Sequence, residues 1–302
     1  MKNILITGST GFLGTHLVNF LKKKNVKLKL LNSKNCDLRN FKNLQKLKKI
    51  KYDIIIHLAA WTQAGDFCLK FPGKQWLINQ EINTNVLKYW YLYQKQAKMI
   101  AMGTSCSYSS KLSLNEKNYM KDEPIESLYT YAMTKRMLLQ GLRALNKQFK
   151  MKYLYLIPST LYGPNYHLDG RQMHFIFDLI RKIFEGKFHK KKVILWGNGN
   201  QRRELIHVKD FIKIMWNINN KYSNEIFNIG GGKEYSIKFF ANKISKILKF
   251  DENKIIYDTS KYVGAKSKNL DISKLKEFKI KTNQITLENG IKEVIDWYKR
   301  LN

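Results

Sequence analysis

Cysteine is scarce in this chain: Cys36, Cys68 and Cys106 are the only three in 302 residues. None stands in a C-x-x-C pair, so neither a disulfide framework nor a zinc site is indicated, and any cysteine chemistry must belong to single residues. Proline occurs only four times, which leaves no material for Pro-rich linkers. No apolar run approaches the roughly 18 to 20 residues of a membrane helix, and "MKNILITG" is too short and too soon followed by glycines for a secretory signal. A cytoplasmic protein with no membrane partner is expected. Acidic side chains are also few, 23 against 55 Lys plus Arg, for a net charge of +32. Such an excess raises nucleic acid as a partner. Only eight of these cations are arginine, however, the better bidentate reader of phosphates and bases, and 47 lysines are scattered along the whole chain. The charge therefore reads as a solvated lysine surface that favours anionic small substrates, not as a nucleic-acid interface.

What is present has a rhythm. "NILITG", "KLKLL", "DIIIHLAA" and "MIAMGTS" are strand-like, and between them 12–24, 40–50 and 75–97 carry helical periodicity. Strands alternating with helices imply an α/β fold, a doubly wound parallel sheet of the Rossmann kind. "KYLYLIPSTLYGP" adds a later strand, after which the rhythm breaks into an amphipathic helix near 173–186, a basic loop, the strand "VILWG" and the turn-prone "GNGNQ". Further strands follow in "ELIHVKDFIKIMWNI", which runs on into a helix, and in "EIFNIGGG". A second, smaller substrate-binding lobe is expected, interleaved with the first: 1–163 and 204–230 for the cofactor domain, 164–203 and 231–302 for the lobe.

"ITGSTGFLGTHL" sets Gly8, Gly11 and Gly14 in a G-x-x-G-x-x-G pattern between the first strand and the first helix. Glycines there allow a tight turn and let backbone amides and the helix N-terminus approach a pyrophosphate. The second strand ends "LLNSKNCDL", with no carboxylate where an NAD ribose wants one, while Ser33 and Lys34 suit a 2′-phosphate. NADP (as NADPH) is the expected cofactor, with NAD as the alternative. Asp37 is placed to meet the adenine edge or to act as a surface cap.

In "SLYTYAMTKRML", Tyr131 and Lys135 lie four apart, on one helix face. Three other Tyr/Lys pairs share that spacing, but only this one follows a strand ending in a hydroxyl residue. The motifs G-x-x-G-x-x-G, "HLAA", "TSCSY", "YAMTK", "LYGP" and "RRELIHVKD", in this order, resemble those of the extended short-chain dehydrogenases/reductases. That resemblance covers essentially the whole chain. It implies an enzyme in which Tyr131 exchanges a proton with a sugar oxygen as hydride moves to or from the nicotinamide. Lys135 lowers the phenol pKa and holds the ribose, and Thr104 hydrogen-bonds the reacting oxygen. It further implies cofactor contacts from Gly8, Thr10, Gly11, Phe12, Leu13, Gly14, Ser33, Asp37, Leu38, Ala59, Ala60, Tyr131 and Lys135.

Within the family "TSCSY" is most similar to the GDP-L-fucose synthases, which epimerise and then reduce a GDP-4-keto-6-deoxy sugar. There the matching cysteine, here Cys106, acts as base beside the ketone, and the matching histidine, His174, is its partner acid; His167 competes for that role. A 4-keto group acidifies its neighbouring C–H bonds, so a thiolate and an imidazolium on opposite faces are a chemically sensible pair. An extended backbone points residues 104 and 106 the same way. The resemblance also makes Arg203 the grip on a diphosphate, shared with Arg202, and Lys182 and Trp196 further contacts to a nucleotide sugar. A 4,6-dehydratase is disfavoured, because Ser105 and Cys106 stand where its Asp-Glu pair would. A plain 4-epimerase or 4-ketoreductase is the alternative, and a non-catalytic NADP-binding regulator the distant one. Relatives pair through two long helices, here 75–97 and 128–148, so a homodimer is expected.

Overall fold

A computed structural model describes residues 1–261, 266–281 and 284–301. Its first half runs β1 (Lys2–Thr7), α1 (Phe12–Leu21), β2 (Val26–Leu31), α2 (Phe41–Gln45), β3 (Ile54–His57), α3 (Phe67–Lys70), α4 (Pro72–Tyr93), β4 (Lys98–Met102), α5 (Tyr129–Phe149) and β5 (Tyr153–Pro158). The second half adds β6 (Thr160–Tyr162), α6 (Phe175–Phe188), β7 (Val193–Trp196), β8 (Arg202–His207), α7 (Val208–Lys221), β9 (Glu225–Ile229), β10 (Glu234–Ser236), α8 (Ile237–Leu248), β11 (Ile255–Asp258), α9 (Ser273–Glu277) and α10 (Leu287–Lys299). The expected helix over 40–50 shrinks to five residues followed by turns. The expected 75–97 helix starts earlier, at Pro72, whose fixed φ and missing N–H suit a first turn.

Six strands form one parallel sheet in the order β2-β1-β3-β4-β5-β9. Strands covered on both faces need apolar residues at every position, which is why β3 reads Ile-Ile-Ile without alternation and is wholly buried. The order reverses between β1 and β3, and crevices at such switch points, outside the carboxyl ends of the strands, are where parallel α/β sheets take their ligands.

The smaller lobe is built from β10-β8-β6 and β11-β7, with α6, α8 and α10 around a second core that includes Ile180, Phe240 and Ile295. Its boundary differs from the expected one. Leu270, Ile272 and Leu275 pack into the larger core, and strand β8 divides its side chains between Leu205 in one core and Ile206 in the other. Among the described residues no helix is long and apolar enough to cross a membrane.

Candidate active site

The glycine turn after β1 is dictated by close backbone approach. Gly8 has φ +66°, and a Cβ there would lie 2.8 Å from the amide nitrogen of Ala59, across the switch point. A Cβ on Gly14 would lie 2.2 Å from the carbonyl oxygen of Gly8. Gly11 has no such collision; it stands at the N-cap of α1 with no side-chain cap, so the first amides of that helix point outward from the turn. This bare helix start facing a glycine cradle fits the pyrophosphate of a dinucleotide.

Behind the cradle, Thr7 accepts from the amides of Leu58 and Ala59 at 3.2 Å. Its single hydroxyl proton therefore goes to Nδ1 of His57 at 2.8 Å, and His57 donates from Nε2 to Asn83 at 3.1 Å. Burial pushes His57 down to about 4, so it is neutral and structural. Asn83 continues to the carbonyl of Thr134 on α5, so a buried polar chain ties the glycine turn to the helix that carries Tyr131 and Lys135.

Several expected cofactor residues have protein partners of their own. The ring of Phe12 turns away into an edge-on cluster with His16, Tyr166 and Phe177 between the lobes. Leu38 is buried in the core, and its carbonyl accepts from Asn85. The Asp37 carboxylate is forked by Arg39 at 2.7 to 3.1 Å, which lowers its pKa. Ser33 and Lys34, by contrast, are exposed just beyond β2, and Thr10 is exposed at the tip of the turn.

At the end of β4, a Cβ on Gly103 would collide with the ring of Tyr155, so glycine is required where the strand packs tightly against β5. Thr104 is extended, but 105–107 is a 3₁₀ turn, so the reason expected for pairing Thr104 with Cys106 does not hold. The two meet another way: the Thr104 hydroxyl caps the turn by accepting from the Cys106 amide at 3.3 Å. Ser107 then donates to the Ala132 carbonyl at 3.1 Å, and the buried Arg136 donates to the Ser107 carbonyl at 3.0 and 2.6 Å. A second tether is a directional chain in which the Thr104 amide donates to Tyr119, Tyr119 to Tyr155, and Tyr155 to the Lys135 carbonyl. Thr104, Cys106, Tyr131 and Lys135 are thus held as one unit.

Lys135 is 6% exposed, and burial lowers it to about 8; its ammonium lies 5.8 Å from the centre of the Tyr131 ring. The expected depression of the phenol pKa does not arise from this chain alone. Burial pushes Tyr131 up, the nearby Cys106, Cys68 and Tyr119 add to the rise, and a hydrogen bond with Thr62 opposes it, while the Lys135 ammonium lies over the ring. Thr62 accepts from the buried Gln75 at 3.4 Å, and Asn79 pins the adjacent Trp61 backbone.

Cys106 is half-buried, with the ammonium of Lys268 at 3.2 Å from its sulfur. Burial pushes the thiol up, but Lys268, the Thr104 hydroxyl and the charge of Arg203 outweigh it, so its pKa falls below the ordinary value. His174 stands at the N-cap of α6 and is exposed to solvent. Neighbouring protein, with the charges of His167 and Lys268, lowers its pKa. His167 itself is tied to Asp169 at 3.3 Å.

Arg203 and Arg202 part company. Arg202 pairs with Glu234 on β10 at 2.8 Å, whereas the charge of Arg203 is felt at Cys106. Lys182 reaches both Asp178, at 2.9 Å, and the half-exposed ring of Trp196, at 5.6 Å, so these two expected contacts are neighbours. Lys268, Thr62, Gln75, Tyr119 and Tyr155 escaped the sequence reading. For Lys268 the only available signal was its place before "NLDIS", one lysine among 47.

The NAD dependent epimerase/dehydratase family model matches residues 4–230. The chain belongs to this family. As a member of the epimerase/dehydratase family it is an NAD(P)-dependent enzyme, with the expected Rossmann fold. Curated relatives include the GDP-L-fucose synthase of Dictyostelium discoideum, 29% identical over 309 residues that cover 98% of this chain and 95% of that one. The GDP-L-colitose synthase of Yersinia pseudotuberculosis is also 29% identical, covering 98% and 97%. Among solved structures of the epimerase/dehydratase fold, a GDP-6-OMe-4-keto-L-xylo-heptose reductase from C. jejuni superposes with a TM-score of 0.89 at 23% identity, covering 100% and 98%. A GDP-L-fucose synthetase from Naegleria fowleri bound to NADP gives 0.84 at 24%, covering 99% and 93%.

Proposed function

We propose that the protein is an NADPH-dependent epimerase and 4-reductase of a GDP-4-keto sugar, with GDP-4-keto-6-deoxymannose as the first candidate. The observation that carries this reading is the single unit formed by Thr104, Cys106, Tyr131 and Lys135, with Lys268 against the sulfur. The exposed Ser33 and Lys34, the engagement of Asp37 by Arg39, and the NADP in the Naegleria structure support NADP over NAD. Bound at the glycine cradle, NADPH supplies hydride for C4. The chain's residues do the rest. Cys106, as thiolate, takes a proton from the carbon beside the ketone and leaves an enolate. His174 returns a proton on the other face, once the negative diphosphate has raised its pKa. Tyr131 gives its phenolic proton to the C4 oxygen, Thr104 orients that oxygen, and Lys135 holds the ribose and favours the phenolate that results. Arg203 is the proposed grip on the diphosphate, with Lys182 and Trp196 at the nucleotide.

A second reading is a C4 reductase without epimerisation, which holds if the exposed His174 does not return a proton on the other face. Incubation with GDP-4-keto-6-deoxymannose in deuterated water separates the two. Solvent deuterium at C3 or C5 together with NADPH consumption is expected for the wild type, and reduction without label for Cys106→Ser. Unlabelled product from the unmodified enzyme would leave only the reductase. We further propose a homodimer through α4 and α5, supported by the exposed Trp76, Leu77, Tyr129 and Met137 on these helices, and a cytoplasmic location, supported by three thiols in no disulfide.

A further inference from the structure

Lys268 belongs to none of the motifs, yet its position is built with care. Residues 266–270 form a strap laid across β8 and fastened at three points. The Arg202 amide donates to the Lys266 carbonyl at 2.9 Å, the Ser267 hydroxyl donates to Glu234 at 2.7 Å, and the Leu270 amide donates to Glu204 at 2.9 Å. Glu204 is almost wholly buried and also accepts from the Gly232 amide at 2.6 Å, while Gly230 gives it room that any Cβ would remove. Leu270 then anchors the strap in the large core. Between these fastenings Lys268 points inward, and its ammonium donates to the Cys106 sulfur at 3.2 Å.

We infer that Lys268 is the positioning residue that keeps Cys106 as a thiolate, the strap serving to hold one ammonium against one sulfur 162 residues away in sequence. The inference rests on the proposed role of Cys106 as base but concerns only its protonation. Ionisation sends the thiol proton to solvent and leaves an S⁻···H–N⁺ contact in a partly enclosed site, where such a pair is worth more than in bulk water. The other groups that act on the sulfur are Arg203 from β8, the Thr104 hydroxyl, Cys68 from α3 and Tyr131 from α5. Among the described residues, Lys268 is the one that combines full charge with direct contact to the sulfur. With a net charge of +32, a distant lysine cannot stand in for it, because exposed charges beyond roughly 10 Å are screened at ordinary salt.

The test is the pH dependence of iodoacetamide labelling at Cys106 in the full-length protein, located by peptide mass spectrometry. Cys36, buried in the large core and away from Lys268, serves as the internal reference. Wild type should label with a midpoint below that of an ordinary thiol. Lys268→Met should raise the midpoint by about one pH unit or more and slow labelling at pH 7 about tenfold. Lys268→Arg should restore most of the rate, and Lys266→Met, which removes an equal charge from the exposed side of the strap, should change nothing. An unshifted midpoint in Lys268→Met, or an equal shift in Lys266→Met, overturns the inference. Because labelling needs no substrate, a shifted midpoint without deuterium exchange would sink the epimerase reading alone, and exchange with an unshifted midpoint would sink this inference alone.

Discussion

Tyr155 donates its phenolic proton to the backbone carbonyl of Lys135 at 2.7 Å. Through Tyr119 the same chain reaches the Thr104 amide, so two interior phenols set the spacing between the strand-end hydroxyl and the catalytic helix. Tyr155→Phe should cost about 1 to 3 kcal/mol in denaturant unfolding, since it leaves the buried Tyr119 hydroxyl proton without an acceptor and takes from the Lys135 carbonyl the donor it has beyond its helix. It should also lower kcat more than it changes KM. Loss of stability with kcat intact would mean that the chain supports the fold and not the site geometry.

Removing the Tyr131 hydroxyl should abolish chemistry while sparing the cofactor. Tyr131→Phe is expected to reduce NADPH oxidation by about 10² to 10⁴-fold. NADPH binding, followed by cofactor fluorescence, should stay near wild type. Substantial turnover in this variant would move the proton donor elsewhere.

Lys135 has a consequence for stability that follows from the sign of its shift. Its folded pKa of about 8 lies below the ordinary 10.5, so below pH 8 both folded and unfolded chains carry the proton and the cost of burying it is fully present. Between pH 8 and 10.5 the unfolded chain binds more protons, so folding stability should rise with pH, by about 3 kcal/mol at most. Melting curves of wild type and Lys135→Met should converge toward high pH. A difference independent of pH would contradict the buried-ammonium picture.

Two glycines of one motif should behave differently. Gly14→Ala forces a Cβ to within 2.2 Å of a carbonyl oxygen that cannot move without opening the turn, whereas at Gly11 the nearest atom is 3.4 Å away. The first should lose about 1 to 3 kcal/mol and most NADPH affinity. Gly11→Ala should fold normally, with any loss confined to binding. Calorimetry with and without NADPH measures both.

Local signals carried far in this chain. The glycine turn, the Tyr131/Lys135 pair and the alternation of strands and helices each depend on residues within one or two turns of each other, so hydrophobic period and spacing decide them before the chain folds. The helix over 40–50 was misread because its apolar spacing persists where tertiary packing rewards only five residues. The character of the site was decided later, by contacts across the sequence. Thr104 caps the 3₁₀ turn that holds Cys106 because α5 bolts it down, Phe12 packs among rings between the lobes, and Lys268 reaches the sulfur because Glu204 and the large core fasten its strap. Which residue can perform chemistry was written in composition and spacing. Its protonation and its neighbours depend on burial and on charges brought together from distant segments, and these exist only once the chain has closed on itself.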